Sequence, residues 1–305
     1  MSNTWVVGSL NIDLVAQVPR FPQPGETIRG TSFATFLGGK GGNQAMSLCR
    51  LGAAPHMVGR VGDDEFGTRY RSALNKAGGN TTHVRSVAGE TTGTAVIEVD
   101  SEGQNHIVIV PGANGSMSVD SVLEDIRDIA DGDLVLLQLE IPFDTVWAVA
   151  QFADSRGASV VLDPAPAAEI PDDALQTIRW ITPNEHEASI ITGVDTSSEK
   201  GLTEACRALL EAGVDHAVIK AGKRGAMYAH RDRPDPQLIP GFTVEAVDTT
   251  AAGDSFNGGL AWALSRGLDP LEALRHANAV AALSVTGMGA QTAMPTADAV
   301  REFMR

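Results

Sequence analysis

The sequence predicts an α/β fold: a doubly wound, mainly parallel sheet with helices on both faces, and a small separate β-sheet made of strands that come early in the chain. Three observations carry this. From about residue 118 onward, short and wholly apolar runs alternate with helical patterns, the signature of strands buried on both faces of a parallel sheet. Before that point, strand signals and turn residues dominate, so those strands are left over for a second sheet. The 305 residues allow two domains or one large α/β domain carrying an insertion, and no linker, repeat or low-complexity tract divides them. The expectation is a single domain over 1–305 with a β lid contributed by about 14–38 and 92–112.

Trp5-Val6-Val7-Gly8 is a short apolar strand, and 14–18 alternates until Pro19, Pro22, Pro24 and Gly25 break the run. Residues 94–99 and 106–110 flank Asp100-Ser101-Glu102-Gly103 and read as a β-hairpin. Then come a helix over 119–129, a strand over 134–139, a helix over 145–155 and a strand over 159–162 that ends at Asp163-Pro164. A helix over 199–212 stops at Gly213, and 217–220 is again a strand. Three helices, 254–266, 270–285 and 296–304, close the chain.

Composition narrows the function. Apolar residues at 43% and charged residues at 20% exclude disorder, collagen and coiled coil for the whole chain. A net charge of −15 repels phosphate backbones and anionic lipid, so nucleic acid and membranes are not the expected partners. Cys49 and Cys206 are too few and too far apart for a disulfide framework or a zinc knuckle. The stretch from Met1 to Trp5 carries no basic segment, and no apolar run approaches the ~18 residues that span a bilayer, so a cytoplasmic protein with buried thiols is expected. In that compartment the triplets at Asn80 and Asn114 are not glycosylated.

The 32 glycines exceed the average of about 7%, and their clusters direct the search for a site. Neither a Walker nor a Rossmann spacing is present, and Ile190 stands where a helical zinc site would need a second histidine. At 247–259, small residues between Asp248 and Asp254 precede a helix, where unpaired N–H groups of the first turn form an anion site. Asp254 by itself reads equally well as an ordinary helix cap. At 38–44, four glycines surround Lys40 and lead into a helix, suggesting backbone brought close to a ligand, with Lys40 and Asn43 giving directed hydrogen bonds; a solvated turn is the alternative. Asn11 and Asp13 follow the first strand at the edge where open α/β sheets bind ligands, although Asx turns produce the same letters.

Six motifs in this order are similar to those of the ribokinase family of carbohydrate kinases: GSxNxD (8–13), PxPGET (22–27), GGKGxNQA (38–45), VGDDxFG (61–67), PNExE (183–187) and DTTAAGD (248–254). The resemblance covers essentially the whole chain. It implies ATP-dependent phosphorylation of a sugar hydroxyl, with D-ribose going to ribose 5-phosphate as the leading expectation. Kinases of 2-deoxyribose, fructose or a nucleoside are the siblings, and a catalytically silent sugar sensor is the rival from another class. By resemblance Asp254 is the base, and Ala251, Ala252 and Gly253 provide the anion hole. Asn11, Asp13, Gly39, Lys40, Asn43 and Glu140 contact the sugar. Asn184, Lys220, Gly222, Gly225 and Asn278 serve the nucleotide, and Glu187 holds Mg2+ through water. Asp248, Thr250, Ser284, Gly287, Gly289 and Ala293 match a K+ site, with Ala293 replacing a frequent serine. Gly42 stands where alanine is commonest, an exchange expected to be harmless because both are small. The lid edge suggests a homodimer.

Overall fold

Strands that are apolar on both faces must be covered on both, and the computed structural model, which describes residues 2–305, shows how this chain does it. Met1, where the reading of the N-terminus begins, lies outside the described residues. The first part of the chain forms β1 (Thr4–Val7), β2 (Asn11–Gln17), β3 (Ser32–Gly38), α1 (Lys40–Arg50), β4 (His56–Gly62), α2 (Glu65–Lys76), β5 (Asn80–Val87), β6 (Gly93–Val99) and β7 (Asn105–Val110). The alternating part follows: α3 (Val119–Asp125), β8 (Leu134–Gln138), α4 (Phe143–Ser155), β9 (Ser159–Asp163), α5 (Asp172–Leu175), β10 (Trp180–Ile181), α6 (Glu185–Thr192), α7 (Glu199–Glu211) and β11 (His216–Lys220). The antiparallel pair β12 (Gly225–His230) and β13 (Arg233–Pro240), then α8 (Ala252–Leu264), α9 (Pro270–Ser284) and α10 (Ala297–Phe303), complete it.

Nine strands make the large sheet in the order β13-β12-β11-β10-β9-β8-β1-β4-β5, parallel from β11 to β5 and antiparallel at the β12 and β13 end. Its strands send alternate residues to two cores. Trp5, Val7, Val135 and Leu137 pack with α3, α4 and α7, whereas Val6, Leu134 and Leu136 pack with α1, α2, α8 and α9. The doubly wound class expected from the sequence is therefore the one observed. Helix α3 ends at Asp125, earlier than the periodicity predicts, as the Asp125 carboxylate turns inward to the buried Arg60, 2.9 Å away.

The leftover strands form a second sheet, β3-β2-β6-β7. Around the hairpin turn Asp100 Oδ1 accepts from the N–H of Glu102 and of Gln104, both at 2.9 Å, an Asx turn that sets the register of β6 against β7. Every residue of β7 is exposed, as are Val96 on the adjacent β6 and Phe33 on β3 at the opposite edge. Two polar side chains, the half-buried Asp64 and the buried Asn114, tie this sheet to the large one. Asp64, which caps α2 by accepting from Gly67 N–H at 2.8 Å, also accepts from Thr92 N–H at 2.8 Å. Asn114 bonds the Leu10 N–H at 2.9 Å and the Asn11 Oδ1 at 2.8 Å; being 1% exposed, it is unavailable for modification.

Candidate active site

The ends of β1, β8 and β9, the start of α1 and the start of α8 converge at one edge of the large sheet, which the small sheet overhangs. The turn into α8 holds Ala251 in the left-handed region, φ 59° and ψ 20°; it is the one non-glycine with positive φ among the described residues. Such an outlier persists only where its surroundings over-determine it, and it marks this turn as a functional candidate. The strain lets the chain enter α8 with its first N–H groups open. Ala252 N–H meets Thr249 C=O at 3.2 Å, while those of Ala251 and Gly253 have no protein acceptor. Lys220 Nζ sits 3.3 Å from where a Cβ on Gly253 would stand, so an ammonium and free N–H groups face one point.

Asp254 follows this turn and is 4% exposed. Its Oδ2 accepts from Asn43 Nδ2 at 2.9 Å and its Oδ1 from Gln44 Nε2 at 3.3 Å, so two neighbours on α1 orient the carboxylate. Gln44 Nε2 also donates to Asp163 Oδ2 at 3.1 Å, and Asp163 Oδ1 accepts from Lys220 Nζ at 2.8 Å. The N-terminus of α8 favours the ionised form of Asp254. In the structure burial wins: together with the Asp163 and Glu140 charges it pushes Asp254 up to about 6 against the opposing pull of Lys40 and the Asn43 bond. A base poised near the working pH is suited to proton transfer.

Asn11 and Asp13 lie on β2 and meet this cluster from the lid side. Burial first, then Glu140 and Asp254, raises Asp13 to about 7. Glu140, just after β8, accepts from Ser9 Oγ at 2.6 Å and from the Lys40 N–H at 2.9 Å with the same Oε2, which fixes the start of α1. Burial opposes the Lys40 charge, but Asp254, Asp163, Glu140 and Glu187 override it and hold Lys40 protonated.

The glycines of this turn make room for neighbouring protein. Gly39 (φ 81°) would drive a Cβ to 2.7 Å from Asn11 N. Gly42 is not interchangeable with alanine either, since its Cβ would stand 1.9 Å from the Tyr70 hydroxyl oxygen.

A cleft of about 820 Å³ runs from Lys40 and Asp254 past Asn184, Glu187, Lys220, Gly222, Gly225, Ala251, Ala252 and Gly253 to Asn278. PNExE is a capping box: Asn184 Oδ1 accepts from the Glu187 N–H at 2.8 Å, and Glu187 Oε2 accepts from the Asn184 N–H at 2.7 Å. Burial holds the Glu187 carboxyl above its usual range, with Asp163 adding to it and Lys220 opposing. Asn278 lines the cleft, but its Nδ2 donates to the Ile239 and Pro240 carbonyls, each at 3.1 Å, which leaves Oδ1 as its free end.

The six residues read as a cation site come from two segments that meet. Asp248 Oδ1 accepts from the Thr250 N–H (2.9 Å) and Oγ1 (2.6 Å), and its Oδ2 accepts from the Gly289 N–H at 2.9 Å. Those bonds lower its pKa even though burial works the other way. Gly287 packs against Ala293, and Ser284 turns its hydroxyl to Ala281 C=O at 2.9 Å.

Tyr70, Gln138, Asp163 and Gln291 join this cluster without having been marked as site residues. Asp163 carried a signal, standing at the end of an apolar strand as Asp-Pro, the position where α/β sheets present site residues. Tyr70, Gln138 and Gln291 carried none.

The pfkB family carbohydrate kinase profile matches residues 1–297. The ribokinase of Bacillus subtilis is 43% identical over 100% of this chain and 100% of its own length. That of Haemophilus influenzae is 41% identical over 98% and 97%. Among solved structures, the ribokinase of Arabidopsis thaliana complexed with ribose and ATP superimposes with a TM-score of 0.92 at 36% identity, covering 100% of this chain and 99% of that one.

Proposed function

The chain belongs to the pfkB family of carbohydrate kinases, and from that premise we propose that it transfers the γ-phosphoryl group of ATP to D-ribose, giving D-ribose 5-phosphate and ADP. The observation that carries this reading is the buried Asp254 carboxylate, oriented by Asn43 and Gln44 beside the open N–H groups of Ala251 and Gly253. Phosphoryl transfer needs in-line positioning and stabilisation of spread negative charge more than covalent chemistry. Asn11, Asp13, Gly39, Lys40, Asn43 and Glu140 hold the sugar as a mixed set of donors and acceptors, with one hydroxyl against Asp254. Asp254 takes that proton as the new O–P bond forms. The N–H groups of Ala251, Ala252 and Gly253, with Lys220, receive the charge that develops on the transferred group.

ATP occupies the cleft along Asn184, Lys220, Gly222, Gly225 and Asn278. Mg2+, when bound with the nucleotide, neutralises its phosphates. The residues fit it through Glu187, whose carboxyl the capping box orients, because a cation that keeps several of its waters needs few protein ligands. A K+ ion fits the Asp248 segment, where a carboxylate held ionised bonds Thr250 and the Gly289 N–H, and Ser284, Gly287 and Ala293 would add oxygens from the adjoining segment. It would keep the α8 turn in place.

We read the two sheets as one kinase domain with a lid, acting in the cytoplasm, where a reducing medium keeps the two buried thiols free. A second copy pairs with it through β7, whose Ile107, Val108, Ile109 and Val110 are all exposed. A monomeric mass in light scattering at micromolar protein would remove that dimer. The activity itself is tested by coupled ADP release over ribose, 2-deoxyribose, fructose, 2-keto-3-deoxygluconate, adenosine and pseudouridine at matched concentrations. Ribose is expected to give the highest rate. Any other acceptor ahead of it overturns the choice of sugar, and no ADP with any of them overturns the kinase reading.

A further inference from the structure

Gln291 stands between α9 and α10, is 9% exposed, and belongs to the stretch whose Gly289 N–H holds Asp248. Its Nε2 reaches Asn43 Oδ1 at 3.0 Å and the Tyr70 hydroxyl at 2.9 Å. That hydroxyl donates onward to the Gly38 carbonyl at 2.5 Å. The direction of each bond is dictated from both ends. An ionised carboxylate only accepts, so Asn43 must turn Nδ2 to Asp254, and its Oδ1 is left needing a donor. A carbonyl also only accepts, so the Tyr70 hydrogen goes to Gly38 and its oxygen is left to accept from Gln291.

We propose that Gln291 is a positioning residue for phosphoryl transfer: by capping the Asn43 carbonyl, it locks that amide with its NH2 toward Asp254 and the sugar. The inference rests on the reading of Asp254 as the base. A second observation separates it from a packing role. Gln291 Oε1 is buried without a protein partner, a state that destabilises a fold and that a methionine of similar length would avoid. The polar engagement of Gln291 is through Nε2 alone. Asn114 treats Asn11 in the same way, donating to its Oδ1 at 2.8 Å, but it also bonds the Leu10 backbone, so its removal would disturb the fold as well. Gln291 offers the cleaner test.

The groups that act on Asp254 are Lys40 from α1, Asp163 from β9, Glu140 after β8, Asp13 from β2 and Tyr70 from α2. Of its hydrogen bonds, the one from Asn43 favours the ionised form. An Asn43 free to rotate removes that support, and the acid limb of turnover then moves to higher pH.

The test is Gln291→Met, with Gln291→Leu as a second apolar variant should methionine not fold. Expected are a fall in kcat of roughly 10-fold, as for loss of one oriented charge-assisted bond, weaker ribose binding by calorimetry, and an acid limb raised by about half a pH unit or more. Tm should fall by no more than a few degrees, since relief of the unpaired Oε1 offsets in part the loss of the two Nε2 bonds. Parental kcat, ribose affinity and acid limb in a folded variant overturn the proposal, and so does a loss of kcat that follows a lowered Tm with the limb unmoved. Asp254→Asn is assayed in parallel. If it keeps parental turnover, the base reading fails and the Gln291 proposal with it; if it loses turnover while Gln291→Met does not, only the Gln291 proposal fails.

Discussion

The two ends of the cleft are built on different plans. At the sugar end, Asn11, Asn43, Glu140 and Asp254 each have a polar atom engaged by a second protein side chain or by backbone, so the pattern of donors and acceptors is set before any ligand arrives. At the nucleotide end, beyond the turn into α8, Asn184, Glu187 and Lys220 are engaged too, but an exposed Lys223 and the carbonyl end of Asn278 are left open. A preset pattern discriminates, because a ligand lacking one hydroxyl leaves a buried group unpaired. An open one binds charge with little regard for shape. Substitutions at the sugar end should therefore change which substrate is used or whether it reacts, and those at the nucleotide end should change mainly how much ATP is needed.

The largest effect sharpens the contrast. Asp254→Asn keeps the shape of the site but loses the proton acceptor and one of the two bonds it accepts from Asn43 and Gln44, so turnover should fall by at least ~10²–10⁴ while ribose affinity, measured by calorimetry, is largely kept. Turnover within a few-fold of the parent would remove Asp254 from the chemistry. Next comes Gly253→Val, which places a side chain where Lys220 Nζ and the open N–H groups converge. A loss of about 10²–10³ in kcat is expected in a variant that melts like the parent. Unaltered activity would locate the anion hole elsewhere.

Asp13→Asn acts on selectivity. Ribose should exceed 2-deoxyribose in kcat/KM by roughly 10-fold to 100-fold in the parent and by only a few-fold in the variant. An undiminished ratio would mean that another group reads that hydroxyl. The smallest effect belongs to the nucleotide end: Asn278→Ala should raise KM for ATP by about two- to five-fold with kcat unchanged. A fall in kcat as large as that of Gly253→Val would erase the distinction between the two ends.

The residues of this site were unequally visible in the sequence. Asp254, Asp248, Asn43 and Asn184 stand at helix starts or strand ends, where local patterns mark them, and the alternation of apolar runs after residue 118 sufficed for the large sheet. The bond from Gln291 to Asn43 spans 248 positions and that from Gln44 to Asp254 spans 210, and no local period reports such pairs. The raised pKa of Asp254 was hidden for the same reason. Its helix terminus is local, whereas Asp163, Glu140 and the burial that outweigh it come from distant segments. Gly42 looked replaceable by alanine until Tyr70, from the next helix, filled the space beside it.

The proposed base is a buried carboxylate raised toward neutrality, and its titration is read from the pH dependence of kcat/KM for ribose, which reports the groups of the enzyme before the sugar binds. A carboxyl with a raised pKa is protonated, and inactive as a base, below that value. Log kcat/KM should therefore climb with unit slope through an acid limb centred near pH 6, the value to which burial raises Asp254. A kcat/KM that stays level down to pH 4.5 in a stable enzyme would contradict the assignment of Asp254 as the base.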